Sequence, residues 1–246
     1  MFFKVPALLL VAFGVLSGVL ALPIPSETNG QRLARGLPPS PPKFLKRFLA
    51  TPVSNAKRTT TSPLPPVTLS GRLQVRSKEN GSSLGNVRNW PGGGTISGTS
   101  AFSPDGDLLV TLTYNPSDPT KIQILSTNPA FPAPFYVGAG TSNTISVPHL
   151  AAGDYHSVGF TNVESTAPGS PPSKAPSRDA YVESAIWTIN PSTKQLTAQF
   201  INEDGSTPPT VFAYDIRNNN LFFTGDIAEY NSHASFLASA VDLYLV

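Results

Sequence analysis

Polar and apolar residues alternate cleanly across residues 68–76. Leu69, Gly71, Leu73 and Val75 share one face, and Ser70, Arg72, Gln74 and Arg76 share the other. Successive side chains of a strand point to opposite sides, so this pattern predicts a half-buried strand with a wet outer face. Leu108, Val110, Leu112 and Tyr114 repeat it against Thr111 and Thr113. Ile122 and Ile124 alternate with Lys121 and Gln123, and Leu196, Ala198 and Phe200 with Gln195, Thr197 and Gln199. Residues 241–246 predict a terminal strand. No window holds apolar residues at helical spacing for three turns, so helices are limited to single turns, one of them near residues 233–239.

Turn chemistry separates the strands. Asn190-Pro191-Ser192-Thr193 predicts a hairpin between residues 185–189 and 196–201. Glu203-Asp204-Gly205-Ser206 and Arg217-Asn218-Asn219-Asn220 predict the next two turns, because Asp and Asn tolerate left-handed backbone and Gly adopts it freely. Strands recur about every ten residues, the spacing of an all-β sandwich or barrel. The expected architecture is an antiparallel, jelly-roll-like β-sandwich over residues 67–246. Residues 163–178, rich in Pro, Ser and Ala, predict a long mobile connection between sheets.

The first 66 residues are of another kind. Lys4 precedes an apolar run over residues 5–20 that ends in Val19-Leu20-Ala21, the pattern of a signal peptide (residues 1–21) cleaved after Ala21. An uncleaved anchor is the competing reading; Pro23 and Pro25 follow at once and disfavour it. Residues 22–66 carry Pro38, Pro39, Pro41, Pro42, Pro63, Pro65 and Pro66, and so predict an extended, disordered leader without helices or ladders. Two dibasic pairs lie in it, Lys46-Arg47 and Lys57-Arg58. In an exported chain these fit a kexin-type processing protease, with cleavage expected after Arg58. The alternative is a basic tether that stays attached.

Charge follows the same boundary. Of 17 bases and 15 acids, eight bases and one acid (Glu27) precede residue 59, which leaves nine bases and fourteen acids behind it. The processed protein is mildly acidic and shows no cluster of bases with which to hold phosphates, so nucleic acid is not an expected partner. There is no Cys, hence no disulfide framework, thiol nucleophile or thiolate metal site. A domain of about 180 residues buries roughly 70% of its unfolded surface and can dispense with disulfides. No later apolar run reaches membrane length, so no membrane contact is expected once the leader is gone.

Candidate chemistry is sparse. Asn80-Gly81-Ser82 is a glycosylation sequon on a predicted turn. His149 and His156 bracket Asp154, an imidazole–carboxylate set that a metal could use, although no metalloenzyme spacing is met; a hydrogen-bonded surface pair is the preferred reading, with no metal or cofactor. Asp105-Gly106-Asp107 resembles part of a calcium loop without its remaining ligands. Residues 103–106 also resemble a propeller-blade turn, but no second copy occurs. Gly-x-Ser-x-Gly and phosphate-loop motifs are missing. Glu183 shares a predicted strand face with Tyr181, Ala185 and Trp187, where a glycosidase could use it together with Asp215 or Asp226. Trp90, Tyr155, Trp187, Tyr214 and Tyr230 are aromatics that could stack on sugars. Trp187 fits the core better, and Trp90, beside Pro91 and three glycines, is the stronger binding candidate, with Tyr155 next.

The segments Ala34-Arg35-Gly36-Leu37-Pro38-Pro39-Ser40-Pro41-Pro42 and Lys57-Arg58, then Val182-Glu183-Ser184-Ala185-Ile186-Trp187, Asn190-Pro191-Ser192-Thr193, Asp204-Gly205-Ser206-Thr207-Pro208 and Phe223-Thr224-Gly225-Asp226, give the chain a resemblance. It resembles a group of uncharacterised small secreted proteins of mushroom-forming fungi. The resemblance implies secretion from a fungal cell and carries no activity or catalytic residue. Three functions follow as expectations. The first is a secreted, non-catalytic, lectin-like module on extracellular polysaccharide or cell-wall glycan. The second is a polysaccharide hydrolase using Glu183. The third is a structural or effector-like protein.

Overall fold

A computed structural model describes residues 27–40, 64–90, 96, 98–100, 106–141 and 147–246. The signal-peptide and processing positions Ala21, Lys46, Arg47, Lys57 and Arg58, and Asp105, lie outside these residues. The chain divides into two units, residues 1–60 and 61–246.

In the first unit, Asn29–Ala34 forms a six-residue helix, α1. The proline-rich stretch is thus not free of helix. Residues 27–37 contain no proline, and Thr28 and Gln31 form a reciprocal capping box that satisfies two otherwise unpaired amides.

The second unit is antiparallel β-structure. Its strands are β1 (Val67–Ser77), β2 (Ser83–Val87), β3 (Thr99–Ser100), β4 (Leu109–Tyr114), β5 (Ile124–Ser126), β6 (Tyr136–Gly140) and β7 (Ser157–Val163), followed by β8 (Ser173–Lys174), β9 (Tyr181–Glu183), β10 (Trp187–Ile189), β11 (Gln195–Ala198), β12 (Val211–Asp215), β13 (Asn220–Thr224) and β14 (Ser239–Leu245). A helix α2 (Ile227–His233) precedes β14. It starts where Asp226 accepts hydrogen bonds from the Ala228 and Glu229 amides. It lies earlier than the single turn expected near residues 233–239.

The strands close on themselves rather than forming an open jelly-roll sandwich. The order β1-β4-β5-β6-β7-β13-β12-β14 returns to β1, giving an eight-stranded ring. The closing seam pairs Leu73 with Leu245, Val75 with Leu243 and Ser77 with Val241. β1 and β14 each serve two outer neighbours in succession. Residues 67–72 of β1 pair with β4 and residues 74–76 with β2, while β14 pairs first with β12 and then with β11. These two long strands turn the corner between faces, and closure leaves none of the eight ring strands as an edge, while β3, β8 and β10 lie at the ends of the strand order. Gly71 sits at this corner, where a Cβ would stand 2.4 Å from the Val246 carbonyl oxygen.

The alternation read from sequence is what fills the ring. Leu73, Val75, Val110, Leu112, Ile124 and Leu243 are buried in one core with Phe160, Trp187, Leu221 and Phe223. β13 is buried on both sides, because Phe222 packs outward under Tyr230 of α2. Residues 163–178 do not cross between sheets. They return to the same sheet, β8 pairing β9 and β9 pairing β6.

The predicted turns are held by their polar side chains. Asn190 accepts from the Ser192 and Thr193 amides at the β10–β11 hairpin, and Asp204 from the Ser206 amide. At the β12–β13 turn Asn219, at φ +47°, points its amide across to the 98–100 segment. Its Oδ1 accepts from the Thr99 amide at 2.7 Å and the Tyr214 hydroxyl at 2.9 Å, and its Nδ2 donates to the Thr99 carbonyl at 3.1 Å. One side chain thus acts as a strand partner for Thr99. Asn219→Ala leaves the Thr99 backbone amide and carbonyl unpaired and the Tyr214 hydroxyl with Thr99 Oγ1 alone, and should cost about 3 kcal/mol, read by urea unfolding. A loss under about 0.5 kcal/mol would mean the latch is not formed.

Candidate binding site

Glu183 does not line a groove. It closes β9 opposite Ala139, is 1% exposed, and among the described residues accepts one hydrogen bond, from the Ile201 amide to Oε2 at 3.2 Å, with no partner on Oε1. The shared face with Trp187 fails because the strand breaks between β9 and β10. There Ser184 is held by Thr166 and Gln123. Burial pushes the Glu183 carboxyl up to about 8, opposed by the Ile201 hydrogen bond. The acids offered as its partners are engaged elsewhere. Asp215 is buried and caps its own turn, accepting from the Arg217 and Asn218 amides and from Asn218 Nδ2. Asp226 caps α2 and also accepts from the Gly153 amide, and these backbone donors hold its carboxyl below the usual range.

The imidazole–carboxylate set is real as a pair. Asp154 Oδ1 accepts from the His156 amide at 3.0 Å and lies 2.5 Å from His156 Nδ1. The amide hydrogen bond, helped by the ring, keeps Asp154 below the usual carboxylate range. Among the described residues no group of three or more His, Asp or Glu is arranged to hold a metal ion. Asp107, half of the calcium-like fragment, is buried and already paired, with Arg72 Nε at 3.1 Å and Asn86 Nδ2 at 2.7 Å.

The candidate aromatics separate by exposure. Trp187 is 1% exposed, and Tyr214 is buried with its hydroxyl on Asn219. Tyr230 packs on Phe222 at 4.5 Å between ring centres, and its phenol is pushed above the usual value, chiefly by burial and then by Asp215. Tyr155 is 47% exposed, but the rings of His156 and His233 both stack on it at 4.5 Å, so little of its face is left for a ligand.

Trp90 is different. It is 39% exposed, and the Arg88 guanidinium lies 4.0 Å from its ring centre. The residue between them is fastened at both ends of its amide: Asn89 Nδ2 donates to the Asn128 carbonyl at 2.6 Å and Oδ1 accepts from the Ala130 amide at 2.8 Å. The backbone beneath Trp90 is therefore pinned to the chain that follows β5. An aromatic ring backed by a cation and carried on a fixed strand end offers a flat apolar surface with little entropy left to lose on binding. Arg88 and Asn89 were not singled out from sequence, although both immediately precede the tryptophan. Their roles depend on residues about 40 positions away.

Asn80 is exposed at the tip of the β1–β2 hairpin, followed by Gly81 at φ +72°, and its side chain accepts from the Ser82 amide. Among the described residues no helix is long and apolar enough to cross a membrane. The chain matches no protein-family profile, no curated protein and no solved structure.

Proposed function

We propose that this is an exported, non-catalytic glycan-binding module that uses Trp90 as its stacking platform on extracellular polysaccharide or cell-wall glycan. The observation that carries the reading is the exposed tryptophan ring, braced by Arg88 and standing on the doubly anchored Asn89. The leader pattern of residues 1–21 and the exposed Asn80 sequon support export. The hydrolase reading is weaker. A raised carboxyl pKa suits a general acid, but a proton donor must reach its substrate, and Glu183 is 1% exposed.

Substituting Trp90→Ala should weaken binding to immobilised cell-wall glycan roughly 30-fold, about 2 kcal/mol, as loss of a buried aromatic anchor does. The melting temperature should not change. Equal retention of wild type and variant would overturn the platform, and failure of wild type to bind any glycan would overturn the function.

A further inference from the structure

A second concave surface lies on the outer face of β6, β7 and β13, and Trp90 does not line it. Its volume is about 1120 Å³, a little above the roughly 300–1,000 Å³ of small-molecule sites. Its walls come from separate elements: His149, Asp154 and His156 from residues 147–156, Arg178 from the chain before β9, and Asn220 and Phe222 from β13. Its floor is bare backbone, where Gly140 of β6 pairs with Gly159 of β7.

Gly159 is the telling position. The other glycines inside the described strands have a steric or conformational reason. A Cβ would stand 2.4 Å from the Val246 oxygen at Gly71, 2.2 Å from the Glu183 oxygen at Gly138 and 2.8 Å from Thr161 Cγ2 at Gly140, and Gly85 has φ +113°. At Gly159 the backbone is ordinary and a Cβ would meet only the Gly140 oxygen, at 3.2 Å. Packing opposes a side chain less here than at Gly71, Gly138 or Gly140, although the Gly140 oxygen would have to give by a few tenths of an ångström, and the vacant volume belongs to the cleft. A glycine inside a strand marks a place where something approaches the backbone closely.

Around this floor, among the described residues, several hydrogen-bonding atoms are left over, although His149 also interacts with the charges of Asp154 and Asp204. Asp154 uses Oδ1 for His156, and its Oδ2 takes no hydrogen bond among the described residues; the same holds for the His149 ring and the Asn220 side chain. The Arg178 charge is already spent on the Asn162 carbonyl and on Glu164. What remains open is a carboxylate acceptor, an amide that both donates and accepts, and an imidazole. A ligand that satisfies all of them within one short span must donate and accept in alternation. Hydroxyl groups on a sugar ring do so.

We infer that this cleft is a saccharide site separate from Trp90, with Gly159 as the floor on which one sugar ring sits. The site deepens the glycan-binding reading and can fail independently of it. The test is calorimetric titration with tetrasaccharides of glucose, N-acetylglucosamine, mannose, galactose and xylose, on wild type and on Gly159→Leu, His149→Ala and Trp90→Ala. The leucine fills the floor and should weaken binding of at least one saccharide tenfold or more; His149→Ala, at an exposed position, should weaken the same one at least threefold. Should Gly159→Leu fail to fold, the His149→Ala titration decides. Saccharides bound equally by wild type and both cleft variants, but lost in Trp90→Ala, would overturn the cleft and leave the platform standing. Loss in the cleft variants alone would support the cleft and overturn the platform. No binding by wild type would overturn both.

Discussion

Raising the pH from about 4.5 to 8 is expected to cost the protein on the order of 4–5 kcal/mol of stability through Glu183 alone. Its carboxyl titrates near 8 in the folded chain and near 4.5 once unfolding exposes it. Between those values the folded state holds a proton that the unfolded state has released, so unfolding is favoured as pH rises. The contribution is fully kept below about 4.5 and fully lost above about 8. The geometry gives the cause: a side chain 1% exposed, with one amide donor on Oε2 and no partner on Oε1 among the described residues, has nothing there with which to compensate a negative charge. Glu183→Gln keeps the acceptor for Ile201 and cannot ionise. Urea unfolding at pH 5 and pH 8 should show a steep fall for wild type and a much shallower one for the variant, which becomes the more stable protein at pH 8. A wild-type stability that is flat or rising over this interval would contradict a protonated, buried Glu183. An effect of this size is comparable with the whole stability of many domains.

Trp187→Ala should be nearly as damaging. The indole stands within 5.9–6.5 Å of the rings of Phe160, Phe212 and Phe223, and its Nε1 donates to the Val137 carbonyl at 2.8 Å. Truncation removes the largest fully buried side chain and the hydrogen bond from its Nε1 to that carbonyl. The expected loss is about 3–5 kcal/mol, seen as a fall of about 10–15 °C in melting temperature. Trp187→Phe, which keeps most of the volume, should lose less than half as much. A loss below about 1 kcal/mol in the alanine variant would mean that the ring is not at the centre of the core.

Which features could be read from the chain depends on the range of the forces behind them. β1, β4 and β11 announced themselves because burial on one face imposes a period of two on neighbouring residues. The β10–β11 hairpin announced itself through Asn190, whose side chain folds back on its own backbone. The exposure of Trp90 could be inferred from the Pro-Gly-Gly-Gly run beside it. Ring closure could not, because β1 and β14 sit at opposite ends of the domain and nothing local in either encodes the partner. Glu183 was misplaced for the same reason. Alternation put it on a face with Trp187, but Thr166 and Gln123, distant in sequence, hold Ser184 and interrupt the strand between them. The bare floor at Gly159 has meaning only once Gly140 is set opposite, 19 residues away in the chain.

The two proposed saccharide surfaces and the buried carboxyl support one reading, that this barrel holds glycans and does not cut them. The most direct trial incubates wild type and Glu183→Gln with the same set of polysaccharides and follows retention and new reducing ends together. Both proteins should be retained equally on at least one polysaccharide, with no reducing ends released by either. Release of reducing ends by wild type, abolished in Glu183→Gln, would contradict the account and place the acid at a working active site.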